Sequence, residues 1–223
     1  MARGKLKRFA ENMSRHNVIE KGKPLFETVK GNWNKHFQNE QPITLELACG
    51  KGEYTIGLAR KFPERNFIGI DIKGDRIWKG AGIALEEGLD NVAFLRTHLL
   101  ELEHFFENGE VNEIWITFPD PRPKDRDEKR RVTHTRYFDL YKKILNRNGW
   151  LRLKTDNTGL FDYSLEVLKT RKDIADLEYT YDLYHSEFRA ECHEIRTKYE
   201  EKFSAEGHDI KYLKFRFLSS KRT

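Results

Sequence analysis

Ile43-Thr44-Leu45-Glu46-Leu47-Ala48-Cys49-Gly50-Lys51-Gly52, followed by a helical stretch from Glu53 to Lys61, is the segment whose reading decides the fold. Its first five residues form a short β-prone run, the glycines make a turn, and a helix follows. The same alternation continues outward. Phe67-Ile68-Gly69-Ile70-Asp71 is a second apolar run ending in a carboxylate, and Gly74 to Glu87 reads as the next helix. Val92 to Leu95, Glu113 to Phe118 and Trp150 to Lys154 supply three more strands, with a helix from Tyr137 to Leu145 stopped by Asn148-Gly149. Strands alternating with helices imply a parallel sheet with right-handed crossovers. Further on, Glu178 to Tyr184 and Lys211 to Leu218 alternate in polarity; Leu213, Phe215 and Phe217 share one face, and Tyr212, Lys214 and Arg216 a wet one. These two segments suit an antiparallel edge.

The chain is 223 residues long, which suits one ordinary domain, and its 38% hydrophobic and 13% aromatic content is enough to close a core despite 35% charged residues. The formal charge of +5 permits a polyanionic partner. Residues 1–35 hold nine Lys or Arg and three Glu without a steady period, and read as a basic, flexible N-terminal arm ahead of a single domain over 36–223. Cys49 and Cys192 are far apart with no CxxC or Cys/His ligand spacing, so neither a disulfide scaffold nor a zinc ribbon is expected, and no metal is. No apolar stretch approaches the eighteen or so residues of a membrane span, so the cytoplasm is the expected location.

In an open α/β sheet, ligands sit beyond the carboxyl ends of the strands. There Glu46 closes the first strand beside Gly50 and Gly52, and Asp71 closes the second, where a carboxylate accepts both hydroxyls of a ribose. A glycine loop with an acid about twenty residues later points to an adenosine cofactor. The three-glycine pyrophosphate fingerprint is absent, since Ala48, Gly50 and Gly52 stand in its place, and Glu46 would repel phosphate. The same acid suits the ammonium group of S-adenosylmethionine.

After the fourth strand comes Phe118-Pro119-Asp120-Pro121-Arg122-Pro123-Lys124-Asp125-Arg126-Asp127-Glu128-Lys129-Arg130-Arg131. Its prolines stiffen a loop that holds Asp120 at the ligand end. Seven Lys or Arg between Arg122 and Arg136 can grip phosphates. With this segment, Lys154-Thr155-Asp156-Asn157 and Thr197-Lys198-Tyr199-Glu200, the chain from about Pro42 to Glu200 resembles the bacterial tRNA (guanine-N7)-methyltransferases of the TrmB type.

The resemblance implies a Rossmann-like class I S-adenosylmethionine-dependent methyltransferase fold, mostly parallel with an antiparallel C-terminal edge, and a tRNA variable-loop guanine as methyl acceptor. Carried over by position, it implies that Glu46, Gly50, Gly52 and Asp71 hold the cofactor with Asp120 at the pocket's edge. Lys124, Asp156, Thr197, Lys198, Tyr199 and Glu200 would meet the substrate, and Arg126, Lys129, Arg130 and Arg131 the RNA. Asp120 and Asp156 are the candidate catalytic groups, acting by orientation and electrostatics. The chain departs from the family pattern at Ala48 (usually glycine), Arg122 (usually tryptophan) and His98, which replaces an Asp or Asn. A neutral imidazole nitrogen at His98 can accept from an adenine amino group. Trp33, Phe37 and Tyr199 are aromatic candidates for base stacking. A methyltransferase for another acceptor, and an RNA-binding protein with a vestigial pocket, are the competing readings.

Overall fold

The computed structural model describes residues 2–218. In chain order the elements are α1 (Ala2–Ser14), β1 (Val18–Ile19), α2 (Pro24–Thr28), α3 (Trp33–Phe37), β2 (Ile43–Leu47), α4 (Glu53–Lys61), β3 (Asn66–Ile70), α5 (Gly74–Glu86), β4 (Val92–Leu95), β5 (Val111–Thr117), α6 (Thr135–Ile144), β6 (Leu145–Thr155), α7 (Thr158–Thr170), β7 (Ile174–Thr180), α8 (Lys198–Ala205) and β8 (Lys211–Phe217). Short 3₁₀ turns occupy Leu99–His104, Asp125–Arg130 and Glu187–Cys192.

The strands form one sheet in the order β1-β4-β3-β2-β5-β6-β8-β7. β1 to β6 run parallel, and β8 lies antiparallel between β6 and β7. Every residue of β2, β3 and β4 is buried, as befits parallel strands covered on both faces. Leu45, Leu47, Ile68 and Ile70 pack into one apolar layer; Phe67, Phe94 and Trp115 pack into the other with Ile77 and Ala81 of α5. Strand order reverses between β2 and β5, where Glu46 lies opposite Trp115 and Leu47 opposite Ile116. That reversal opens a crevice at the strands' carboxyl ends.

Four sequence expectations change. The basic segment over 1–35 is not a free arm. Asn12 Nδ2 donates to the Gly74 carbonyl at 2.8 Å, Asn17 Nδ2 to that of Ala81 at 3.0 Å, and Val18 and Ile19 pair with Phe94 and Leu95 as a sheet edge. Trp33 and Phe37 are core residues, with Trp33 Nε1 donating to the Phe105 carbonyl at 2.8 Å, so they cannot stack on a base. The segment has no steady period because its buried apolar residues, Val18, Ile19, Val29 and Trp33, lie on separate short elements and loops, while the described residues of α1 and α2 bury no apolar side chain.

β7 begins at Ile174, four residues before the expected start, because a bulge between Ala175 and Glu178 shifts its register and Asp176 takes a positive φ of 53°. The wet face of β8 is covered instead: Tyr212 is fully buried under Phe188, and Glu191 binds Lys214 and Arg152. Leu183 ties this covering segment down by donating its backbone N–H to the Ile210 carbonyl at 2.8 Å.

Candidate active site

The crevice is built around Glu46. Its side chain is buried, and three donors converge on it: the Thr55 backbone N–H at 2.8 Å, the Thr55 hydroxyl, and the Thr117 hydroxyl at 2.6 Å from across the strand-order reversal. Burial pushes the carboxyl up to about 7, and these donors only partly oppose it. Beyond it the chain turns through Ala48, Gly50 and Gly52, all with positive φ of 57°, 58° and 71°. A Cβ on Gly50 would point into open space, whereas one on Gly52 would lie 2.5 Å from the Phe94 ring. Gly50 therefore walls the crevice, and Gly52 is required for packing beneath it. Asp71 braces the turn by accepting from Gly50 N–H at 2.9 Å and from Lys73 N–H at 2.8 Å.

Two cavities meet at Ala48. The smaller, about 170 Å³, lies between Asp71 on one side and Asp120, Arg122 and Arg130 on the other, with Ile70, Ile72, Leu99 and Val132 as apolar walls. His98 is exposed there, but its Nδ1 accepts from Leu100 N–H at 3.1 Å and caps the 3₁₀ turn. With Nδ1 engaged as acceptor, a neutral His98 carries its proton on Nε2 and offers a donor. It suits an acceptor nitrogen of a purine ring, not the amino group expected from sequence.

The larger cavity, about 440 Å³, has Glu46, Thr117 and Gly50 at its floor and Phe118, Thr197, Lys198 and Tyr199 along its far wall. Tyr199 is half exposed and stacks on Phe203 at a ring separation of 4.3 Å. Burial and the neighbouring Asp156 carboxylate raise its phenol above the usual range. Asn157, and not Asp156, caps α7 by accepting from Leu160 N–H at 2.8 Å, which leaves the Asp156 side chain beside Tyr199.

Asp120 stands between the crevice and solvent, its side chain 62% exposed and paired with Arg122 Nε at 3.0 Å. Phe118 and Arg122 flank it with positive φ of 47° and 46°. Together with Ala48 they place three non-glycine residues in the left-handed region around one crevice, a form of strain that clusters at functional sites.

Other expected site residues lie elsewhere. Glu200 is fully buried, closes a capping box with Thr197, and pairs with the equally buried Lys154 at 2.8 Å, with the Tyr184 hydroxyl on its other side. It shapes the wall from behind and does not line the cavity. Lys124 is exposed ahead of the Asp125–Arg130 turn and lines neither cavity. Arg126 and Lys129 are exposed on that turn, while Arg130 reaches the smaller cavity and pairs with Asp127 at 3.0 Å. Arg131 is used internally: its Nε donates to the Arg122 carbonyl at 3.1 Å, and its guanidinium lies 4.4 Å from the Tyr163 ring center. Lys154 was missed as part of the site, although a charged residue inside the run Leu151-Arg152-Leu153-Lys154-Thr155 was a signal that it had a buried partner.

Residues 40–213 match a family described as "Putative methyltransferase". The chain is 48% identical over 219 residues to the tRNA (guanine-N(7)-)-methyltransferase of Cytophaga hutchinsonii, covering 98% of this chain and 99% of that one. It is 45% identical to the protein of the same name from Christiangramia forsetii, covering 96% of this chain and 98% of that one. The chain belongs to the tRNA (guanine-N(7)-)-methyltransferase family. Among solved structures, it superposes on the 16S rRNA methyltransferase KamB with a TM-score of 0.65 and 15% identity, over 92% of this chain and 99% of that one. The A1408 methyltransferase from an uncultured bacterium gives 0.58 and 16%, over 90% and 98%. At these identities the likeness is one of fold alone; together with the family match it gives the sheet the architecture of a class I methyltransferase.

Membership in the family can be tested against the crevice itself. S-adenosylmethionine needs a slot for a purine, an acceptor for ribose hydroxyls and an anionic place for its amino-acid end. The apolar walls between Ile72 and Leu99, the Asp71 carboxylate and the Glu46 carboxyl meet those needs, and the open face of Gly50 lets the molecule pass between the two cavities. The residues fit the group.

Proposed function

We propose that the protein transfers a methyl group from S-adenosylmethionine to N7 of a guanine in tRNA. The observation that carries this reading is the meeting of two cavities at Ala48, one suited to adenosine and one open to an acceptor, beside a turn bearing Arg126, Lys129 and Arg130. When bound, S-adenosylmethionine supplies an electrophilic methyl group. Asp71 would hold the ribose, His98 Nε2–H a purine nitrogen, and Glu46 the amino-acid end.

Guanine N7 has a free in-plane lone pair at neutral pH, so this chain needs no strong base. Its task is placement, and holding two reactants in attack geometry supplies roughly 7 to 11 kcal/mol of a barrier. Guanine gains positive charge as N7 is alkylated, and Asp120 and Asp156 would stabilise that charge from the two edges of the crevice. N7 faces the major groove, which in A-form RNA is too narrow for side chains, so the target base must leave its stack. Tyr199, half exposed beside Phe118, is placed to stack on it. We assign the acceptor to the variable loop and the protein to the cytoplasm. Free thiols at Cys49 and Cys192 and a tRNA substrate support the latter. We further infer that the described residues work as one domain, since Val18, Ile19 and Trp33 of the N-terminal segment belong to its sheet and core.

Incubation with unmodified tRNA followed by borohydride and aniline cleavage should cut the chain at the product. No cleavage at any guanosine would refute the reading. Charge reversal at Lys129 and Arg130 should flatten the salt dependence of tRNA binding by about one unit of slope for each phosphate no longer gripped. Arg131→Ala should instead lower stability and leave the slope unchanged, because its guanidinium is committed to the Arg122 and Pro123 carbonyls and the Tyr163 ring.

Glu46 gives a pH signature. In the folded chain its carboxyl sits at about 7, above the ordinary 4.5, so the fold retains a proton that the unfolded chain has lost. Folding therefore bears no penalty from Glu46 below pH 4.5, a growing one as pH rises, and the full penalty above about 7. Glu46→Gln should melt at a higher temperature than the wild type at pH 8 and at the same temperature at pH 4.5. A cationic amino group favours the ionised form, so the affinity for S-adenosylhomocysteine should weaken below pH 7 by up to about tenfold per unit. Calorimetric affinities that stay flat from pH 8 to pH 6 would remove Glu46 from the ammonium.

A further inference from the structure

We propose that Lys51, Arg76 and Lys198 form an anion-binding rim on the larger cavity that holds the two backbone phosphates of the RNA that flank the target guanosine. The three come from separate elements: the turn after β2, the first turns of α5 and the first residue of α8. All three line one cavity and are exposed.

None of them forms an ion pair among the described residues, unlike Arg60, Arg152 or Lys214, which are matched by Glu87, Glu113 and Glu191. The two carboxylates in the same cavity are already engaged. Glu46 lies on the floor under its three donors, and Glu53 accepts from the Lys198 backbone N–H at 2.8 Å. The mouth of the cavity therefore carries three cations without an ion pair among the described residues, against the Glu53 carboxylate and the Glu46 floor, and keeps a positive surplus. A single α-carboxylate would be served by one of these cations; three from separate elements match the wider, doubly flanked charge of a nucleotide within a strand.

This inference rests on the proposed function: if the adenosine takes the smaller cavity, the acceptor base must enter the larger one, and a base drawn out of its stack brings its flanking phosphates to the rim. The Asp125–Arg130 turn lies at the other cavity, so the rim is a second grip. With two grips, the strand would be held on both sides of the base. The work of unstacking would then be shared between them.

The test uses Lys51→Gln, Arg76→Gln and Lys198→Gln, singly and combined, with titration of unmodified tRNA transcript over a series of KCl concentrations and no cofactor present. The expected result is a slope that falls by about 0.7 to 0.9 units for each phosphate no longer gripped, and so by about 1.4 to 1.8 in the triple variant. S-adenosylhomocysteine affinity, measured by calorimetry, should stay at the wild-type value and also reports that each variant is folded. A slope that does not change overturns the proposal: with weakened S-adenosylhomocysteine binding it assigns the rim to the donor's carboxylate, and with unchanged binding it makes the rim a solvated surface. Wild-type protein that binds tRNA without salt dependence would instead sink the functional reading, and the rim with it.

Discussion

Asp120→Ala should reduce methyl transfer to tRNA by about 10²- to 10³-fold, the loss seen when a single preorganised group that stabilises transition-state charge is removed. The fold should not respond. The side chain is 62% exposed, its only ion pair among the described residues is with the neighbouring Arg122, and exposed substitutions of this kind usually stay within about 0.5 kcal/mol. Tight turns around it are held by the backbone and by Pro119, Pro121 and Pro123. Asp120→Asn, which keeps the shape and the Arg122 N–H bond but drops the charge, should fall nearly as far. Single-turnover rates with saturating tRNA would separate the chemical step from binding, and wild-type turnover in either variant removes Asp120 from the site.

Lys154→Met should destabilise the protein by about 3 to 5 kcal/mol, because it leaves the Glu200 carboxylate buried without its cation. Both side chains are fully buried, and the ammonium also lies 5.1 Å from the center of the Tyr54 ring. Combining Lys154→Met with Glu200→Gln should recover much of that loss, since no uncompensated charge then remains, and urea unfolding of both variants measures the difference. The double variant should still bind S-adenosylhomocysteine but turn over poorly. Glu200 also closes the capping box with Thr197, and the first turn of α8 carries Tyr199 into the crevice. A single variant that loses less than about 1 kcal/mol would mean that the pair contributes little to the fold.

Much of the scaffold was legible because its signals are local. A strand of five residues, a turn that needs positive φ at Gly50 and Gly52, and a helix opened by Glu53 each follow from residues adjacent in the chain. Glu46 and Asp71 were legible as well, because a carboxylate at the end of a parallel strand is placed by the topology. The N-terminal segment was not. Asn12 and Asn17 look like solvated polar residues until α5 presents the Gly74 and Ala81 carbonyls to them. The same holds for His98, whose proton position depends on whether Leu100 N–H is near Nδ1.

The sequence by itself determined the order of strands and helices from β2 to β6, the glycine turn, the carboxylates at the strand tips and the family to which the chain belongs. Each of those depends on neighbours within a few positions or on motifs that survive as letters. Only the tertiary structure decided that Glu200 lies behind the wall with Lys154, that the Arg131 guanidinium bonds the Arg122 carbonyl beside Tyr163, and that Lys51, Arg76 and Lys198 face one cavity. The reason is physical: desolvation and charge pairing act through space, and residues 51, 76 and 198 are near one another only after the sheet has closed.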